Sequence, residues 1–153
     1  MRISRVFAGL GLALAILIGG LPAVLAADEP ANIIKYRRNV MAAIGGNMGN
    51  LAMVAKGNIS FAGNLAANAR AIREGLGQAG QWFPEGTDTG ETNALPKIWQ
   101  DMPGFEQAMK DSIAAADDMI AAAETGDMQT VIGGLGALGK TCKGCHEEYR
   151  KKN

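Results

Sequence analysis

The chain has 153 residues, 48% hydrophobic and only 5% aromatic, with 15 basic and 15 acidic side chains. That length suits one domain. With no basic excess to set against phosphates, nucleic acid is excluded as a partner.

The first stretch does not read as domain material. Arg2 and Arg5 form a short basic region, and no charge follows from Val6 to Ala27. The apolar run is broken by glycines and Pro22 and leaves through "AVLA". This order of features predicts a cleaved signal peptide over residues 1–26, with a retained membrane anchor as the competing reading. Removing Arg2 and Arg5 with the leader leaves 13 basic against 15 acidic residues, so the domain expected over 27–153 carries a formal charge of −2. Export implies a periplasmic location in a Gram-negative cell, an oxidising compartment where two cysteines would ordinarily form a disulfide.

Beyond the leader, apolar residues recur with helical spacing. The first stripe runs Ile33, Arg37, Met41, Ile44, Met48, Leu51 and Ala55. The second runs Phe61, Leu65, Ala69, Ile72, Leu76 and Ala79. The third is Phe105, Met109, Ile113, Ala116, Ile120 and Ala123, and the fourth Val131, Leu135, Leu138, Cys142, Cys145 and Tyr149. Four such stripes predict an all-α fold, an antiparallel four-helix bundle. "KGN" at 56–58 divides the first two helices, and "TGD" at 125–127 the last two, with Asp127 placed to cap. Between helices two and three, residues 81–104 contain Pro84, Pro96 and Pro103, which predicts an irregular crossover. Trp82, Phe83 and Trp99 are expected to fold it back onto the bundle. Methionines 48, 53, 109 and 119 are read as packing. Glycines within "AIGGNMG" and "VIGGLGALG" cost about 1 kcal/mol each relative to Ala, which suggests close approach to a neighbour or to a flat ligand.

The only histidine and both cysteines lie together in "CKGCH", 142–146. A thioredoxin-like dithiol needs a βαβ context that this helical chain lacks. A structural zinc site needs four ligands, and here there are three. The remaining reading is covalent attachment of one c-type haem. Two thiols three apart share a helix face, so Cys142 and Cys145 can form thioethers to a porphyrin, and His146 supplies the axial ligand to iron. The cysteines are then consumed, and no disulfide is expected. Because both lie on the inward row of the fourth helix, haem is expected inside the bundle.

A C-terminal C-x-x-C-H in an exported four-helix chain resembles the cytochrome c′ family, the class II c-type cytochromes. "KYRRNVMAAIGGNM" at 35–48, "AKG" at 55–57 and "LPKIWQDMPGF" at 95–105 carry the resemblance through the whole domain. It implies that Arg37 pairs with a haem propionate and that Arg150 stands in the proximal pocket beside the imidazole. Arg38 stands where many members have Gln. Met41 falls on the distal face of the haem. There it either crowds an open sixth position, leaving five-coordinate iron that admits nitric oxide or carbon monoxide, or it coordinates as the sixth ligand of a low-spin electron carrier. Ile44 and Phe61 are further candidates for the distal wall.

The resemblance thus implies gas ligands or redox partner proteins, and a homodimer formed through the first two helices, for which "LAMVAKGNISF" could supply apolar surface. An enzyme such as a peroxidase is not expected, because no second histidine and no distal acid–base pair stands on the Arg37–Met41–Ile44 stripe.

Overall fold

The computed structural model describes residues 28–152, so the expected leader lies outside the described residues. Four long helices form the bundle. α1 spans Pro30–Ala55, with Pro30 at its first turn, where the missing N–H costs nothing. A 3₁₀ turn at Ala62–Asn64 leads into α2, Leu65–Gly77. The crossover begins with a second 3₁₀ turn at Ala79–Trp82 and contains the short helix α3, Lys97–Gln100. α4 is Met102–Thr125 and α5 is Met128–Tyr149. Among the described residues, no helix is long and apolar enough to cross a membrane.

Local chemistry sets the boundaries. The Asp101 carboxylate accepts from Gly104 N at 3.2 Å and starts α4. α4 stops at Gly126, whose φ of 71° is a left-handed cap. Asp127 then accepts from Thr130 N at 2.9 Å and starts α5. The expected "TGD" break is thus a stop and a start on adjacent residues.

The helices touch in the order α1–α2–α4–α5, and the ring closes where α5 meets α1. The sides differ. Around α2 and α4 the core is closed, with Leu51, Ala69, Ile72, Ala116, Met119, Val131 and Leu138 all fully buried. Glycine helps the backbones approach there: a Cβ on Gly134 would lie 3.1 Å from Ala122 Cβ, and one on Gly75 would lie 3.0 Å from Ile44. Gly45, Gly46, Gly49, Gly133 and Gly136 have nothing within 4 Å, so of the two glycine-rich runs only Gly134 shows the tight approach expected. The α1–α5 seam is the loosest of the four.

Three expectations need correction. Phe61 lies before the turn that opens α2 and is 64% exposed, so it is no distal wall. Met53 is exposed and is not core packing. Ile44 is buried, but it packs onto Gly75 of α2 instead of facing the seam.

Candidate functional site

A cavity of about 470 Å³ opens in the α1–α5 seam beneath the crossover. That size lies within the range of small-molecule and cofactor sites. α1 contributes Arg37, Arg38, Met41, Ala42 and Gly45, while α5 and its tail contribute Cys145, His146, Tyr149 and Arg150. Phe83, Ile98, Phe105 and Met109 make the apolar floor. Among the described residues, no aspartate or glutamate lines it.

The helix register explains the α5 side. Leu138 is fully buried, and one turn on, Cys142 and Cys145 are half-buried against the core. Both are free thiols. Burial raises the pKa of Cys142, and burial followed by the nearby Cys142 pushes Cys145 up to about 11. Such a pair is held as neutral thiols. The outer edge of His146 is exposed. Its partial burial, and then the charge of Arg150, hold its pKa below the usual histidine range. The neutral imidazole, the form that ligates metal, is thereby favoured.

The end of α5 is pinned to the crossover. Leu95 N donates to Tyr149 O at 2.9 Å, Lys151 N donates to Asn93 O at 2.8 Å, and Ala94 and Arg150 form an isolated antiparallel bridge. The Tyr149 hydroxyl donates to the Asp101 cap at 3.0 Å, and its ring meets Phe105 edge-on at 5.3 Å. Arg150 is therefore held in extended backbone beside His146 and at the cavity edge.

Arg37 holds the roof. It is 3% exposed. Its Nη1 donates to Trp82 O at 3.3 Å and Thr87 Oγ1 at 2.9 Å, and its Nη2 to Thr87 O at 2.6 Å and Thr92 Oγ1 at 2.5 Å. The guanidinium carbon lies 4.8 Å from the Phe83 ring centre and 5.7 Å from that of Trp99. Burial lowers its pKa from the usual arginine value. The inward charge on the first stripe is thus met by neutral oxygens and aromatic faces of the crossover, where an anionic partner was expected. Trp82 and Phe83 are buried as expected, and Trp99 is half-buried.

The helical stripes gave no sign of Thr87 and Thr92, because their segment has no period. The available signal was "TDTGET", 87–92, which offers side-chain and backbone acceptors in a non-helical stretch. Nor did the stripes mark Asn93, Ala94 and Ile98 as cavity residues.

The residues fit a haem. The cavity is apolar below and cationic at its rim, two thiols share one helix face, and one imidazole adjoins them. Met41 reaches the same cavity from the facing helix, half-buried.

Residues 32–150 match the family model described as Cytochrome C'. The cytochrome c' of Rhodospirillum rubrum is 36% identical over 128 residues, covering 83% of this chain and 87% of that protein. The solved cytochrome c prime from Shewanella frigidimarina aligns with a TM-score of 0.77 at 32% identity, over 83% of this chain and 100% of that one. A nitric oxide complex of a mutant cytochrome c prime from Alcaligenes xylosoxidans aligns with a TM-score of 0.74 at 30% identity, over 81% of this chain and 98% of that one.

Proposed function

This chain belongs to the cytochrome c′ family, and from that premise we propose that it is an exported haem protein whose open sixth coordination position takes small neutral gases. Cys142 and Cys145 hold one haem c through thioethers, and His146 is its axial ligand. When bound, the haem supplies a redox-active iron with one position free for a diatomic ligand. Met41 crowds that position. Phe83, Ile98, Phe105 and Met109 exclude water, and burial, followed by the charge of Arg150, favours the neutral imidazole.

One observation carries this reading. His146 and Met41 face a single cavity from opposite helices, and among the described residues neither a carboxylate nor a second imidazole lines it. A proton shuttle for peroxide chemistry is missing from that lining, so the protein is read as a binder or carrier and not as an enzyme. The relative with bound nitric oxide supports the gas reading.

The same placement of Met41 favours a second reading, a low-spin electron carrier with Met and His on the iron and redox proteins as partners. Spectra of the purified ferric and ferrous protein, with and without carbon monoxide, decide between the two. The first reading gives high-spin iron that binds carbon monoxide and stays high-spin in Met41→Ala. A low-spin spectrum turned high-spin by Met41→Ala establishes the second.

We place the mature protein, residues 27–153, in the periplasm on the strength of its leader. We also read it as a homodimer. Met53 and Phe61 are exposed at the α1–α2 end and supply apolar surface for a second copy. Sedimentation that finds only monomer at high concentration refutes the dimer.

A further inference from the structure

Among the described residues, three aromatic rings line the cavity: Phe83, Phe105 and Tyr149. Of these only the tyrosine can give up an electron together with a proton, because only it carries an O–H. Tyr149 lies three residues beyond His146 on the same helix, lines the same cavity and is buried.

Its phenol is set against a proton acceptor. The hydroxyl donates to Asp101 Oδ2 at 3.0 Å, within the reach of a general base. Asp101 Oδ1 accepts the Gly104 N–H, so capping α4 leaves Oδ2 to the phenol. Glycine makes the room for this pair. A Cβ on residue 104 would lie 2.7 Å from the Tyr149 hydroxyl oxygen and would also collide with the carboxylate. Lys97 Nζ, 5.5 Å from the Tyr149 ring centre, opposes loss of an electron, but it is ion-paired to Glu148. Trp99 is the poorer donor. Its indole N–H faces the carbonyl oxygens of Phe83 and Pro84, which cannot hold a proton, and the Arg37 guanidinium lies over its ring.

Without a distal acid–base pair, an oxidising equivalent that peroxide delivers to a bound haem has no productive use. We propose that Tyr149 and Asp101 form a proton-coupled electron donor that discharges this equivalent when hydrogen peroxide meets the reduced haem protein. Cleaving the O–O bond of peroxide takes two electrons. Ferrous iron supplies one and becomes ferric. Tyr149 supplies the other and becomes a neutral tyrosyl radical. Its phenol proton passes to Asp101, and two protons from solvent complete two molecules of water. This rests on the reading of the chain as a haem protein.

The test uses the reduced, haem-loaded protein. Its mass first reports whether haem is attached, so failure of the haem reading is seen separately. Hydrogen peroxide is added, samples are frozen for electron paramagnetic resonance, and bleaching of the haem absorption is followed in parallel. The chain has two tyrosines, Tyr36 and Tyr149, so a tyrosyl radical can be assigned between them. The parent is expected to give a radical signal that narrows when its tyrosines are ring-deuterated. Tyr36→Phe, at a site 56% exposed, should keep that signal, which places the radical on Tyr149 even if changes at Tyr149 itself disturb the fold. Tyr149→Phe should lose the signal and bleach several-fold faster. Asp101→Asn still offers the phenol an acceptor but cannot take its proton, so it should give a weaker signal. Urea midpoints show which variants keep their fold. No tyrosyl signal in the parent overturns the proposal, as does a signal lost in Tyr36→Phe or surviving in Tyr149→Phe. Bleaching of a folded Tyr149→Phe no faster than that of Tyr36→Phe overturns it too, and so does a full-strength signal in Asp101→Asn.

Discussion

The α2–α4 side and the α1–α5 seam are made from similar helices, yet they are opposite in construction. On the first, Leu, Ile, Met and Ala interlock until Ile72, Ala116 and Met119 have no exposed surface. On the second, the helices stand apart, and half-buried Met41 and Cys145 look into an open space. Packing that fills one side completely has been withheld from the other. Stability and cofactor capacity therefore reside in different pairs of helices, joined by one crossover and one buried arginine.

That division can be tested with urea unfolding midpoints of the haem-loaded protein. The largest effect is expected at Ile72→Ala on the closed side, a loss of about 3–4 kcal/mol from lost burial and an unrelaxed void. Arg37→Leu comes next, at about 2–4 kcal/mol, because the oxygens of Trp82, Thr87 and Thr92 lose their donors. Its signature should be loosening of the crossover, read by amide exchange at Thr87 to Thr92, with α2 and α4 left protected. If protection falls evenly across all helices, the division is not real.

Glycines give a smaller, signed comparison. Gly134→Ala meets Ala122 at 3.1 Å and Met119 Sδ at 3.2 Å, so it is expected to destabilise by about 1 kcal/mol after the gain in helix propensity. Gly133→Ala, its neighbour, meets nothing within 4 Å and should stabilise by up to about 1 kcal/mol. Equal effects at the two sites would remove the distinction between closed and open faces.

The smallest effect concerns Asp127, which both sides share as the start of α5. The Thr130 hydroxyl, and then the Thr130 backbone N–H, hold its pKa below the ordinary aspartate value. A depressed folded-state value means that the contribution is complete above the unfolded value and is lost as pH falls through the folded one. The stability gap between the parent and Asp127→Asn should therefore narrow as acid is added below the usual carboxylate range.

The same contrast separates what was legible in the residues from what was not. The second stripe held from Leu65 through Ala79 because α2 buries one narrow face. The third drifted: Ser112, Ala115, Met119 and Ala122 are buried alongside Phe105, Met109 and Ala116, a wider face than the stripe marked. At the start of α1, Ile34 and not Ile33 is buried, under Gly90 of the crossover. The cluster of Cys142, Cys145 and His146 was plain because its chemistry is local in sequence. The crossover partners of Arg37 were not, because they lie 45 to 55 residues away in a segment without a period.

The bridge between Ala94 and Arg150 links positions more than fifty residues apart. Contacts of that span carry a loop-closure cost and tend to form after local helices and hairpins have assembled. The rim of the cavity is accordingly among the last parts of the domain to set.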